Sequence, residues 1–177
     1  MRNKRIVGEV NKRIYADIGA GWGERFVRRA QESPEQKFVV VEPERRNIPP
    51  RIPPNLTWIV GGVEKGYFLP LESGSVDEAN LDFVLFFVHG EVSEEVFPLR
   101  VSEFLDEMLR ITKKGGKIFI REPRENVERI RPLLQQKKII FSEKLMPEEE
   151  ARSHSEAARE MLSGEKELQP FVIEIEK

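Results

Sequence analysis

The feature that most constrains this chain is a glycine-rich turn directly after a short apolar stretch. Ile14–Ile18 leads into glycines at every second position: Gly19, Gly21 and Gly23. Glycine has no Cβ, so the backbone can turn sharply there and a ligand can lie against it. The residues that follow, Glu24–Glu32, have helical periodicity, and the start of a helix offers free N–H groups. The pattern predicts a strand, a ligand-binding turn and a helix.

A second apolar run, Phe38–Val41, ends at Glu42, 23 residues after Gly19. In parallel α/β sheets an acid at this point accepts hydrogen bonds from ribose hydroxyls. The dinucleotide pattern G-x-G-x-x-G would need a glycine where the chain has Glu24. A carboxylate at the helix start repels phosphates. The two stretches therefore predict a nucleoside-type ligand without phosphates and disfavour a dinucleotide-dependent oxidoreductase.

Length and composition narrow the class further. The 177 residues suffice for one domain with a sizeable core. No apolar run approaches the ~20 residues of a membrane span, and the start lacks the long apolar region of a signal peptide. We expect a cytoplasmic protein without membrane contact. With 34% charged residues and few thermolabile side chains, a thermophilic source is expected.

The scarcity of certain residue types excludes several chemistries. The chain has no cysteine and only two histidines. Disulfides, thiolate metal sites and cysteine nucleophiles are therefore excluded, and we assign no metal site. The net charge of −2 argues against a dominant nucleic-acid-binding surface.

The motif Asp17-x-Gly19-x-Gly21-x-Gly23 with Glu42 resembles the S-adenosylmethionine (SAM) motifs of the class I, Rossmann-like methyltransferases. Further matches follow in the family's order: Leu69–Leu71, Gly74–Asp77, Asn80–Leu85, Leu109–Thr112 and Gly115–Ile120. The resemblance covers residues 14–122. It implies a single-domain α/β fold, a Rossmann-like doubly wound sheet that is mostly parallel with an antiparallel last strand. It also implies SAM as cofactor and S-adenosylhomocysteine as product.

Carried over residue by residue, the resemblance implies a set of cofactor-binding positions. They are Asp17, Gly19, Ala20, Gly21, Gly23, Glu42, Pro43, Gly62, Val63, Glu64 and Leu81. The chain departs from the family where many members have an acid near the adenine amino group. It has Gly62 there and Glu64 two residues on. The backbone of Gly62 and Val63 is the alternative source of that contact.

Asp82 is the candidate catalytic residue, because the resemblance puts it beside the reacting methyl group. Methyl transfer needs mainly alignment of the two reactants, and a general base is optional. The carboxylate could orient or deprotonate the acceptor. The alternative is a structural acid that caps a loop or pairs with Arg121. Asn80 is a weaker candidate, because alternation along the strand could place it on the other side.

Periodicity and turn residues predict the remaining elements. The prolines at positions 49, 50, 53 and 54 exclude a regular helix between the second and third strands. The other predicted elements are a strand at Leu56–Val60, a strand at Val76–Leu85 ending near Asp82, a helix at Val101–Thr112, a strand at Lys117–Arg121, a helix around Val127–Leu134 bent at Pro132, and strands at Lys138–Glu143 and Phe171–Ile175.

Two segments fall outside the core pattern of the predicted single SAM-binding domain, residues 1–177. Residues 1–13 form a basic arm, and family members usually have helices before the first strand. We therefore expect an open site, completed by a partner subunit or a homodimer or filled by a bulky substrate. Residues 147–164 form a helical insertion between the last two strands. It is expected to be a lid or acceptor-recognition element, or else a helix packed away from the site or used in dimer contact.

The resemblance implies a SAM-dependent methyltransferase that acts on a nitrogen or oxygen acceptor, either RNA or a small molecule. Arg45, Arg46 and Arg51 favour RNA, whereas the acidic pI near 5.9 favours a small molecule. The alternative is a SAM-binding regulatory or partner subunit without catalysis of its own.

Overall fold

The structure is a computed structural model that describes residues 12–21, 23–61, 69–82, 84, 93, 95–147, 149 and 170–177. Most of the predicted basic arm lies outside these residues. So do most of the predicted insertion and the adenine-side residues Gly62, Val63 and Glu64. The predictions made for those segments stay predictions.

Seven strands and three α-helices make up the described chain. In order they are β1 (Ile14–Ile18), α1 (Glu24–Glu32), β2 (Lys37–Glu42), β3 (Leu56–Val60), β4 (Val76–Asp82), α2 (Phe97–Ile111), β5 (Thr112–Pro123), α3 (Arg124–Gln136), β6 (Phe141–Leu145) and β7 (Pro170–Glu176). A single 3-10 turn, Arg45–Asn47, stands between β2 and β3. The proline-rich crossover thus has no regular helix, as predicted.

The strands form one sheet in the order β3-β2-β1-β4-β5-β7-β6. Strands β1 to β5 are parallel, and β7 is antiparallel to both of its neighbours. Consequently β6 runs parallel to the first five strands. The order reverses between β1 and β4, which is the topological switch point of a doubly wound sheet. The expected mostly parallel sheet with an antiparallel last strand is confirmed.

Helices cover both faces of the sheet. Phe26 and Ala30 of α1 pack with Phe38, Val40 and Leu56 on one face. The other face carries the larger core, in which α2 and α3 cover the central strands. It includes Ile18, Leu81, Val101, Phe104, Met108, Ile120, Val127 and Ile130. No helix in the described part of the chain is long and apolar enough to cross a membrane.

Three predicted boundaries were wrong. Helix α2 begins at Phe97 rather than Val101, because Pro98 stands in its first turn, where no intrahelical N–H donor is needed. Strand β5 spans Thr112–Pro123 rather than Lys117–Arg121, with an irregular register around Gly115–Gly116.

Strand β6 begins at Phe141 instead of Lys138, because the backbone after α3 turns there. Lys138 has a left-handed φ of 56°, and the N–H of Ile139 donates to the carbonyl of Leu134 at 2.9 Å. These two features are typical of a helix C-terminal turn rather than a strand.

A buried carboxylate on α2 fastens the loop that leads into β4. Glu107 accepts a hydrogen bond from the N–H of Leu69 at 2.6 Å and from Arg110 Nη2 at 2.6 Å. Arg110 also donates to the carbonyls of Leu69 and Leu71, at 3.0 and 2.8 Å. The pair thus supplies hydrogen-bond partners for three backbone groups of the loop, the N–H of Leu69 and the carbonyls of Leu69 and Leu71.

We expect Glu107→Ala to lower the free energy of unfolding by about 3 kcal/mol, because it leaves the buried N–H of Leu69 without its acceptor and removes the carboxylate partner of Arg110. The matched control is Glu103→Ala, one turn earlier on α2. Its side chain is 43% exposed against 7% for Glu107, so the loss should stay below about 1 kcal/mol. Urea unfolding monitored by circular dichroism measures both, and equal losses would contradict the assignment.

Candidate functional site

Residues near the carboxyl ends of four neighbouring strands, β2, β1, β4 and β5, lie in one row. Ile18 is level with Val41 on one side and with Leu81 on the other, and Asp82 is level with Arg121. One position beyond the Ile18 pairs, Gly19 therefore lies between Glu42 and Asp82. The register of parallel strands thus brings the glycine turn and two predicted acids together at the switch point.

The glycine turn is built from three residues in the left-handed region, with φ values of 71°, 55° and 61° at Gly19, Gly21 and Gly23. A Cβ at Gly19 would meet the Val84 side chain, and one at Gly23 would lie 2.6 Å from the Trp58 ring. A Cβ at Gly21 would meet no atom of the described residues within 4 Å. Two glycines thus allow close packing, whereas Gly21 has open space beside it in the described part of the chain.

Glu42 connects the turn to the crossover that follows β2. Its Oε2 accepts a hydrogen bond from the N–H of Gly21 at 2.8 Å. Its Oε1 accepts one from the N–H of Glu44 at 3.1 Å and one from Asn47 Nδ2 at 3.2 Å. A carboxylate has about four acceptor positions, so these described groups leave about one for a ligand.

Four charged side chains form a buried cluster on the other side of the turn. Arg25 Nη1 lies 2.9 Å from Asp82 Oδ2, and Arg25 Nη2 lies 3.5 Å from Asp17 Oδ2. Arg121 Nη1 donates to Asp82 Oδ1 at 2.8 Å. The Arg25 side chain is only 9% exposed. One guanidinium from α1 therefore bridges the ends of β1 and β4.

Burial dominates the electrostatics of this cluster. It raises the pKa of Asp17 to about 7, and Asp82 adds to the rise, while Arg25 opposes it. Burial alone would lower the pKa of Arg25, but the carboxylates of Asp82 and Asp17 outweigh it and raise that pKa. Asp17 Oδ1 is buried and has no hydrogen-bond partner among the described residues. Such an oxygen is costly unless something binds it.

The other predicted positions have different surroundings. The side chain of Leu81 is fully buried in the core, so a ligand could meet only its main chain. Ala20 packs partly against the α1 cluster, and Pro43 is exposed beside Glu42.

The alternation that made Asn80 a weaker candidate does not place it on the other side of the strand. Its Oδ1 accepts a hydrogen bond from Arg121 Nη1, the atom that also donates to Asp82. Residues two apart in a strand share a face. Asn80 therefore lies in the same cluster as Asp82, whose pairing with Arg121 was the structural alternative drawn from the sequence.

Sequence reasoning missed Arg25 and Asn47. A signal for Arg25 existed, because a cation in the first turn of a helix is disfavoured by the helix dipole. Its position therefore indicated a carboxylate partner. No comparable signal pointed to Asn47, which lies in an irregular crossover. The described residues contain no group of three or more potential metal ligands.

The raised pKa of Asp17 predicts a specific dependence of stability on pH. Between about pH 3.8 and 7 the folded chain keeps a proton that the unfolded chain releases, so this group's contribution to stability falls as the pH rises. Asp17→Asn lacks that contribution. As the pH rises from 5 to 8, we therefore expect the urea midpoint of the variant to rise relative to that of the parent chain. A difference that does not change with pH would contradict this.

Comparison with solved structures identifies the fold. The 16S rRNA methyltransferase KamB aligns with a TM-score of 0.67 and 14% identity over 94% of this chain and 89% of its own. The 16S rRNA (adenine(1408)-N(1))-methyltransferase from Catenulisporales acidiphilia gives 0.65 and 17% over 93% and 87%. A geranyl diphosphate methyltransferase gives 0.61 and 13% over 93% and 71%.

Searches with protein-family models and with curated protein sequences gave no match to this chain. At these identities the similarity concerns the fold. The chain has the Rossmann-like fold of the SAM-dependent methyltransferases.

Proposed function

We propose that this chain is a SAM-dependent methyltransferase whose cofactor site is the switch point between β1 and β4. The observation that carries the proposal is the geometry at Gly21. No atom of the described residues lies within 4 Å of a Cβ added there, and its N–H donates to the carboxylate of Glu42. The fold shared with methyltransferases of RNA and of a prenyl diphosphate supports the reaction class.

The sugar half of SAM fits the β1–β2 side. Glu42 has about one acceptor position left for a ribose hydroxyl. A second hydroxyl would have to displace a present donor, and the longest of the three hydrogen bonds is the one from Asn47 at 3.2 Å. We infer that Glu42, Gly21 and the neighbouring Pro43 contact the nucleoside, while Gly19, Ala20 and Gly23 shape the turn.

The amino-acid half of SAM fits the β1–β4 side. Asp17 Oδ1, which has no hydrogen-bond partner among the described residues, is an acceptor suited to an ammonium group. The predicted adenine contacts of Gly62, Val63 and Glu64 and a main-chain contact of Leu81 complete the proposed set.

When bound, SAM supplies an electrophilic methyl group on a sulfonium. The contribution of the protein is to hold the acceptor in line and to exclude water, which can account for much of the acceleration. Asp82 holds two guanidinium groups, and it would accept a proton only after giving up part of these interactions. We therefore propose that Asp82 orients the acceptor and holds α1 and β5 in place through its ion pairs, rather than acting as a strong base.

The acceptor is proposed to be RNA or a small molecule. RNA is supported by the exposed arginines of the crossover after Glu42: Arg45, Arg46 and Arg51. Ile48 and Ile52, 37% and 42% exposed in the same crossover, add apolar surface that could contact bases. A cytoplasmic location, a thermophilic source and a homodimer or partner subunit stay predictions.

Transfer of label from methyl-labelled SAM tests the function. Incubation with separated RNA, protein and small-molecule fractions of a cell extract should label one fraction in a time-dependent way. Calorimetric titration with SAM, S-adenosylhomocysteine and NAD accompanies it. Binding of the adenosyl ligands without any labelling would favour the regulatory subunit. Binding of NAD alone would overturn both the methyltransferase and the regulatory subunit.

We expect Glu42→Ala to weaken SAM binding by about 1–3 kcal/mol, because it removes the acceptor for a ribose hydroxyl. The protein should stay folded. The control is Glu44→Ala, which removes an exposed carboxylate that pairs with Arg46 at the surface and should leave affinity unchanged. Calorimetry measures both, and full affinity in folded Glu42→Ala would remove the sugar assignment.

Gly21→Val should abolish SAM binding, since its side chain would fill the space beside Glu42. Gly74→Val is a matched control, because Gly74 also has a positive φ, 62°, and nothing within 4 Å of an added Cβ. The two variants should lose similar stability, on the order of 1–2 kcal/mol. If Gly21→Val binds SAM like Gly74→Val, the glycine turn is not part of the site.

A further inference from the structure

Glu42 is a buried carboxylate whose acceptor positions are nearly all taken within the chain. The residue is only 4% exposed. Its Oε2 accepts one hydrogen bond, from the N–H of Gly21 at 2.8 Å. Its Oε1 accepts two, from the N–H of Glu44 at 3.1 Å and from Asn47 Nδ2 at 3.2 Å. Since each carboxylate oxygen has about two acceptor positions, the described donors fill Oε1 and leave a position on Oε2.

The three donors differ in how easily they can leave Glu42. Gly21 and Glu44 donate through the main chain, so breaking either hydrogen bond would shift the glycine turn or the start of the crossover. Asn47 donates through its side-chain amide, which can rotate without a change in the backbone. Its main-chain N–H donates separately to the carbonyl of Glu44 at 3.0 Å and holds the 3-10 turn. The amide of Asn47 is therefore the donor that a ligand can replace.

The proposed ligand contains a ribose, which has hydroxyl groups on two adjacent carbons. One hydroxyl can donate to the open position on Glu42 Oε2 and leave the hydrogen bonds of the chain intact. If the other hydroxyl donates to Oε1, it must take the position of Asn47, because that oxygen already accepts two hydrogen bonds. The first hydroxyl thus adds a hydrogen bond to the carboxylate, whereas the second exchanges one hydrogen bond for another.

We propose that Asn47 is a specificity-determining residue: its amide competes with the second ribose hydroxyl for Glu42, so the site discriminates only weakly against a ligand that lacks this hydroxyl. The inference rests on the proposed function, which assigns the ribose to Glu42. When the second hydroxyl is missing, Asn47 stays on Glu42 and no buried acceptor loses its partner. A polar site rejects an analogue without a hydroxyl because such a partner is lost.

The test is calorimetric titration of S-adenosylhomocysteine and its 2′-deoxy and 3′-deoxy analogues into the whole chain and its variants. Asn47→Ala removes the competing donor and keeps the main-chain hydrogen bond of the 3-10 turn. Asn47→Leu also lacks a donor but has a side chain closer in size to asparagine, so it separates the effect of the amide from that of a lost contact. Arg46→Ala is the matched control, because it changes the same 3-10 turn at a side chain that is 79% exposed.

We expect one of the two deoxy analogues to bind the parent chain within about threefold of S-adenosylhomocysteine, because its missing hydroxyl is replaced by Asn47. In Asn47→Ala and Asn47→Leu the same analogue should bind roughly tenfold more weakly than S-adenosylhomocysteine, since a buried acceptor of Glu42 then has no donor. Arg46→Ala should keep the ratio of the parent chain within about twofold, because it removes only a surface ion pair.

Three results would overturn the proposal. If the parent chain rejects both deoxy analogues as strongly as Asn47→Ala does, Asn47 does not replace a hydroxyl. Affinities that change together, with no change in their ratio, would mean that Asn47 only stabilises the crossover. A ratio that falls in the variants would mean that Asn47 donates to the sugar instead of competing with it. If S-adenosylhomocysteine does not bind the parent chain, the proposed function itself fails, which is a distinct outcome.

Discussion

The ion pairs of Arg25 hold the first helix onto the carboxyl edge of the sheet. This guanidinium connects α1 with β1 through Asp17 and with β4 through Asp82. Arg121 extends the cluster to β5. Removing one member of such a buried set leaves an uncompensated charge, which costs far more than a surface pair. The positions of the glycine turn and of the strand ends therefore depend on the same charges that line the proposed cofactor site.

The turn divides the site into two halves with different chemistry. On the β2 side, Glu42 is surrounded by backbone and amide donors. On the β4 side, Asp82 is surrounded by cations. A ligand with a sugar at one end and charged groups at the other complements this division. The adenosyl cofactors of methyltransferases have this composition, and the fold is theirs.

Local signals predicted much of the fold. The bounds of α1 and β3 were predicted correctly, α1 from helical periodicity and β3 from the apolar pattern after the prolines. The errors arose where one residue type has two roles. Pro98 can end a helix or begin one, and Lys138 continues an apolar strand pattern but adopts a left-handed turn. Tertiary packing decides between such roles, and a sequence window does not contain it.

The sequence by itself determined that acids stand at the ends of two predicted strands, because apolar periodicity fixes where a buried strand stops. It also determined where the chain can turn closely against a ligand, because only glycine accepts those φ values readily. Only the tertiary structure decided which charges meet. Arg25, Asp82 and Arg121 belong to three separate elements. Parallel register places Asp82 beside Arg121, and the position of α1 brings Arg25 within 2.9 Å of Asp82. Burial then makes their pairing necessary, because an isolated charge is costly where folding excludes solvent.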